Sequence, residues 1–197
     1  MGKMDGTGIL RSLGGDTYSG DFKNGFKHGQ GRLQHGRSNG WYEGNFSYNK
    51  KEGTGISVDS NGNKYEGTFL GNMRHGEGSC TYAETGTRYV GIWQNNLPHK
   101  GKLFLTDGTY YDGDWKDDAF SGVGQINFAN GDNYQGEWKQ YLPHRYGVRA
   151  YRNGRMYTGE WQMGLKHGNG TMSYPNGDKY EGSWVNDMRC GFGTFTL

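Results

Sequence analysis

The chain has 197 residues, a formal net charge of +2, 38 glycines, 3 prolines and 30 rings (15 Tyr, 9 Phe, 6 Trp). Leu, Ile, Val and Phe make up only about 14%, which excludes an ordinary aliphatic core, while the rings argue against disorder and the scarce proline against collagen. An ordered chain with a thin core is what remains.

The first element expected is a lone strand, Gly6-Thr7-Gly8-Ile9-Leu10, in a partial repeat over residues 1–17. From Tyr18 onward one pattern recurs to residue 197. Tyr-x-Gly-x-Phe/Trp starts at Tyr18, Tyr42, Tyr65, Tyr89, Tyr111, Tyr134, Tyr157 and Tyr180, in steps of 22 to 24 residues. Internal periodicity of this kind marks a repeat architecture. Each repeat predicts two strands. In the first, alternation puts Tyr, Gly and the second ring on one face. A tight turn follows, with Gly, Asn or Asp at offset +7 in every repeat but the sixth, where Tyr141 stands. These residue types tolerate positive φ. The second strand reads Gly-x-Gly-x-apolar, as in Gly122, Gly124 and Ile126. Asn-Gly or Asp-Gly then signals a hairpin, as at Asn61-Gly62 and Asn130-Gly131. One strand plus eight pairs gives seventeen strands and no helix. The glycines share a face with the rings, so a bare Cα leaves room for a neighbouring ring to lie across it.

These residues resemble the MORN-repeat family, whose motif is Tyr-x-Gly-x-Trp, a turn, then Gly-x-Gly. The resemblance runs from about Gly6 to Leu197. There are three departures. The fourth repeat is one residue short before Gly101, Arg145 replaces the first glycine of the sixth pair, and the segment Gln34 to Gly40 is lengthened, displacing Trp41. The resemblance implies an all-β, elongated, twisted antiparallel meander of hairpins in a single rod-like repeat domain. At about 9–10 Å per repeat the rod would span roughly 75 Å.

His28, His75, His99, His144 and His167 share offset +10. Equivalent residues one repeat apart lie too far from each other for a shared zinc ion, so they read as a turn preference. The Gly-x-Gly pairs precede no helix and so are not phosphate loops. Glu43, Glu66, Asp112, Asp114, Glu137, Glu160 and Glu181 fall at the outward +1 and +3 offsets, as on a solvated sheet face. No catalytic, cofactor or metal residue is expected, and nucleic acid is disfavoured because no recognition helix appears.

Three surfaces stand out. Val90, Ile92, Phe104 and Val123 break the polar rule on the outward face and predict a protein-interaction patch. Phe192, Thr194 and Phe195 lie on the last strand, whose free edge predicts a homodimer. Lys139, Arg145, Arg149, Arg152 and Arg155 form a stretch without acids, a candidate zone for acidic phospholipids. No secretory signal opens the chain, and Cys80 and Cys190 form no disulfide framework, which favours a reducing, cytoplasmic setting.

The family resemblance implies a non-enzymatic scaffold or adaptor that binds proteins and self-associates at cytoskeletal, ciliary or flagellar, or membrane-associated structures. It leaves two alternatives open, a phospholipid-binding module and a regulatory arm of a larger enzyme.

Overall fold

The computed structural model describes residues 2–197. Seventeen strands and no helix occur among the described residues, the all-β antiparallel meander that the repeat predicts. The strands group into two compact units, Met1–His99 and Lys100–Leu197. The division falls at the short fourth repeat.

In the first unit β1 (Gly6–Arg11), β2 (Thr17–Lys23), β3 (Phe26–Gln34), β4 (Trp41–Ser47), β5 (Lys50–Val58), β6 (Lys64–Leu70), β7 (Met73–Thr81) and β8 (Arg88–Gln94) follow in order. Each pairs antiparallel with the next, from β1–β2 to β7–β8. The end of β9 (Leu97–Phe104) opens the second unit by pairing with β10 (Tyr110–Lys116). Then come β11 (Ala119–Asn127), β12 (Asn133–Lys139), β13 (Leu142–Ala150), β14 (Met156–Gln162), β15 (Leu165–Ser173), β16 (Lys179–Val185) and β17 (Met188–Thr196). These also pair in sequence.

Both turns of the repeat have a defined backbone. Every first turn puts two consecutive residues at positive φ, from Asn24 (54°) and Gly25 (86°) to Asn186 (48°) and Asp187 (68°). This is the two-residue geometry whose twist suits a hairpin. Tyr141, the exception by residue type, adopts it too, at φ 66°. The second turns differ. Only one residue is left-handed, a glycine as at Gly62 (82°), or Asn39 (53°) in the lengthened turn. Asp59 N–H donates to Asn63 O and Gly62 N–H to Asp59 O, each at 3.1 Å. The Asn-Gly pairs therefore close a longer loop, with the glycine supplying its one left-handed residue.

The core lies on one face of the sheet. Tyr18, Tyr42, Tyr65, Tyr89, Tyr111, Tyr134 and Tyr157 are at most 1% exposed. The rings of Tyr18, Tyr42, Tyr65, Tyr111, Tyr134 and Tyr157 each lie over a glycine pair. A Cβ added at Gly136 would come within 2.5 Å of Gly147 Cα, 2.6 Å of Tyr146 O and 2.7 Å of Tyr134 Oη. The second ring of the same repeat and that of the next meet the tyrosine edge-on. Tyr134 lies 5.0 Å from Trp138 at 89° and 5.2 Å from Trp161 at 84°. Edge-to-face contacts at this range suit the ring quadrupoles. Each tyrosine hydroxyl donates to a carbonyl three residues on, as Tyr42 does to Asn45 O at 2.8 Å.

A third layer at offset +9 was not anticipated. Lys51 Nζ sits 4.9 Å from the Tyr42 ring centre, and the Arg74 guanidinium lies 5.0 Å from that of Tyr65. Phe120 stacks flat on Tyr111 at 3.7 Å. Cation–π and stacking contacts thus close the core from above. Rings such as Tyr42, Tyr65 and Tyr111 are thus held between glycine backbone and a covering side chain, so one sheet face can bury them.

A glycine-floored groove as the candidate binding face

Two features of the repeat shape the opposite face. The first is a bulge in the second strand. Between Gly20↔Gly31 and Phe22↔Lys27, three residues of β3 oppose one of β2. The first glycine of the pair sits in this bulge in the left-handed region, as Gly122 does at φ 65°. In the sixth repeat Arg145 takes that conformation at φ 59°. In three repeats a carboxylate at offset +3 then accepts the amide that follows. Gln30 N–H donates to Asp21 Oδ2 at 3.0 Å, Val123 N–H to Asp114 Oδ2 at 3.1 Å and Asn169 N–H to Glu160 Oε1 at 2.9 Å. These carboxylates therefore hold the bulge as well as facing water. In the short repeat, where the bulge glycine is missing, offset +3 is Ile92, which has no acceptor to offer.

The second feature is the glycine row itself. Gly44, Gly55, Gly67, Gly78 and Gly91 pair in register across β4 to β8. The missing Cβ atoms of Gly44, Gly55, Gly67 and Gly78 point at tyrosine hydroxyls on the core side. The other side is bare backbone, a floor roughly 19 Å long at the usual strand spacing. Side chains on either side of the row raise its walls. Glu43, Ile56, Glu66, Ser79 and Val90 stand in register on one side, and Thr54, Glu77 and Ile92 on the other. They enclose about 810 Å³. The second unit has a groove of about 600 Å³ built the same way, over Gly159, Gly170 and Gly182 with Tyr146, Glu160 and Glu181 on its walls.

The expected patch divides between the units. Val90 and Ile92 line the groove of the first. Phe104 and Val123 belong to the second and are 41% and 60% exposed. On the last strand, Phe192 is 99% exposed and falls in an irregularity of the β16–β17 register. Thr194 pairs with Glu181 and Phe195 with Tyr180. Phe195 also packs 5.8 Å from the Arg189 guanidinium.

The five basic residues do not form one cluster. Lys139 lies at the end of β12 beside a first turn. Arg145 sits in its bulge, 3.4 Å from Glu137. Only Arg149, Arg152 and Arg155 gather, around a second turn. Arg149 lies 5.0 Å and Arg155 5.9 Å from the Tyr151 ring centre. Asp132 takes an ion pair from Arg149 at 3.2 Å and the Arg152 amide at 2.9 Å. That amide, and then the Arg149 contacts, hold its carboxyl below the usual range.

Burial displaces several groups in the core. It pushes the Tyr18, Tyr42 and Tyr65 hydroxyls up to about 12 and those of Tyr111, Tyr134 and Tyr157 higher still. It lowers the covering Lys27 and Lys51. Four histidines of the offset +10 column, His28, His75, His144 and His167, bury Nδ1 without a hydrogen-bond partner. Among the described residues no group of three or more His, Cys, Asp or Glu is placed to hold a metal ion.

Sequence reasoning missed the grooves and the covering column. The column was visible as a restriction at offset +9 to Lys, Arg, Phe or Pro: Lys27, Lys51, Arg74, Pro98, Phe120, Pro143, Lys166 and Arg189. The groove had no comparable signal, because its walls mix Glu, Thr, Ser, Ile and Val.

The fold and this face define an antiparallel β-repeat protein whose open surface is backbone flanked by side chains. The MORN-repeat pattern matches residues 18–36, 42–64, 65–87, 89–110, 111–133, 134–154, 157–179 and 180–197. The chain belongs to the MORN-repeat family. No curated protein matches it. Among solved structures it resembles the wild-type TCP10 domain of Danio rerio CPAP, with 15% identity and a TM-score of 0.52 over 96% of this chain and 89% of that one. It also resembles the Drosophila melanogaster SAS-4 (dCPAP) TCP domain, solved in complex with a proline-rich motif of Ana2 (dSTIL). There the identity is 14% and the TM-score 0.50, over 89% of this chain and 88% of that one. At these identities the likeness is one of fold. No helix among the described residues is long and apolar enough to cross a membrane.

Proposed function

We propose that this chain is a non-enzymatic scaffold that holds segments of protein partners on the glycine-floored face of its sheet. One observation carries the reading. Each unit devotes one face to its ring core and keeps on the other a groove, of about 810 Å³ in the first and 600 Å³ in the second. Concave sites with a few placed polar groups are where ligands bind. A domain of similar fold is seen with a proline-rich motif, which supports a protein segment as the occupant. The tyrosine hydroxyls that burial displaces are tied to backbone carbonyls on the core side, which favours a structural role for them. Self-association as a homodimer, at a cytoskeletal, flagellar or membrane-associated structure, completes the reading.

A random peptide library displayed on phage tests it, with Ser79→Trp as the counter-selection variant. Ser79 stands in the groove wall between Glu66 and Val90, so an indole there fills the space. Sequences enriched by the native protein and lost on the variant are expected. Enriched sequences indifferent to the substitution would contradict the reading.

A second reading, an acidic-phospholipid module, draws on Arg149, Arg152 and Arg155, which gather about Tyr151. It expects sedimentation with acidic liposomes that weakens on charge reversal at these three and not at Asp112 and Asp114.

A further inference from the structure

The geometry points to one class of occupant for the groove of the first unit: an extended, cationic segment with an apolar residue at each end. The assignment rests on the scaffold reading and adds the chemistry of the partner. It follows from the order of the walls across the strands. Over β5 the floor glycine Gly55 is flanked by Ile56, and over β8 Gly91 is flanked by Val90 and Ile92. Between them, Glu66 borders Gly67 on one side and Glu77 borders Gly78 on the other. Taken strand by strand over both walls, β5 to β8 thus bring apolar, acidic, acidic and apolar side chains to the floor, with Thr54 facing Ile56 and Ser79 facing Glu77 across it.

Arg88 also lines the groove, but among the described residues it forms an ion pair with neither central acid. Glu77 has no ion-pair partner among the described residues, and Glu66 meets only the exposed Lys64 at 3.7 Å. Glu43 at the far end is different, since Arg32 pairs with it at 2.8 Å. Exposed pairs of the Lys64 kind contribute little. The centre of the groove thus presents two carboxylates on opposite sides of a floor that has no side chain.

The spacing fixes a pattern. From β5 to β8 is three strand spacings, roughly 14 Å. An extended chain rises about 3.3 Å per residue. Two apolar side chains about four positions apart would reach Ile56 at one end and Val90 with Ile92 at the other. Lysine or arginine between them would lie against Glu66 and Glu77. A cationic segment gains attraction at the carboxylates, whereas an acidic one meets repulsion.

Three labelled eight-residue peptides test the assignment by fluorescence anisotropy. The first has two leucines four positions apart with lysines between them. The second has glutamates in place of the lysines. The third keeps the lysines but sets the leucines two apart. The native protein is expected to bind the first at least tenfold tighter than the other two. The paired change Glu66→Lys with Glu77→Lys should reverse the preference between the first and second, with an unchanged melting temperature as the control for folding. Equal binding of the first and second peptides, both lost on Ser79→Trp, would overturn the charge assignment and leave the scaffold reading standing. No binding of any peptide, together with no groove-dependent sequence from the phage library, would overturn both.

Discussion

Glycine at offsets +2 and +13 is required by contact. At Gly136 a Cβ would meet Gly147 Cα, Tyr146 O and Tyr134 Oη, all within 2.7 Å. Two of the three are backbone and cannot rotate away. Gly136→Val should therefore cost about 3 kcal/mol or more, the upper end for overpacking, read from the urea midpoint. An unchanged midpoint would contradict the ring-over-glycine core. The tyrosines make a second residue-scale prediction. Their ordinary value is 10.0, and in the folded chain burial holds Tyr18, Tyr42 and Tyr65 at about 12. Above the ordinary value the unfolded chain has lost protons that the folded chain keeps. Stability is thus full below about pH 10 and falls as the pH rises towards about 12. Absorbance at 295 nm and the β-sheet circular dichroism signal should change together over that window. Ionisation of these tyrosines with the sheet signal intact would refute the burial.

At the scale of the element, consecutive repeats are tied through their first turns. Lys51 N–H donates to Asn72 Oδ1 at 2.8 Å, and Asn72 N–H returns a bond to Lys51 O at 3.0 Å. The same exchange links Lys27 with Asn49 and Lys166 with Asp187. At Asn49, Asn72, Asn96 and Asp187 the residue at offset +7 thus serves twice, through left-handed φ and as an acceptor for the preceding repeat. Where the preceding repeat offers Pro143, which has no N–H, the partner is Gly164. Asn72→Gly keeps the backbone and loses the acceptor, so it should lower stability by about 1 kcal/mol. Gly164→Asn should gain nothing from a bond, since no donor faces it. Equal effects of the two on the urea midpoint would show that the side-chain bond is not what matters. The strands, their number and the ring face were legible in the sequence, because period, alternation and turn residues all register in composition. The bond between repeats was half legible, as a preference at offset +7 explained only by φ. The groove was not, because a floor defined by missing side chains is recorded as glycine whichever face it serves.

For the whole molecule, the expected homodimer is a matter of exposed edges and apolar groups. Phe192 at 99% exposure and Ile92 at 38% are the two candidates in the two units. Sedimentation equilibrium at high micromolar concentration should show a dimer for the native chain. Phe192→Asp should abolish it if the last strand carries the contact, and Ile92→Asp if the groove wall does. A native monomer would remove self-association from the proposed function without touching the groove. Loss of the dimer with Ile92→Asp would make self-association and segment binding compete for one surface.

Partners are expected on the glycine floor and not on the ring side. A photoreactive benzoylphenylalanine tests it most directly, placed at Thr54 on the groove wall or at Lys27 over the Tyr18 ring. With a peptide selected by the native protein, irradiation should yield a covalent product from the Thr54 position and none from the Lys27 position. A product from Lys27 alone would place the partner on the ring side and contradict the account.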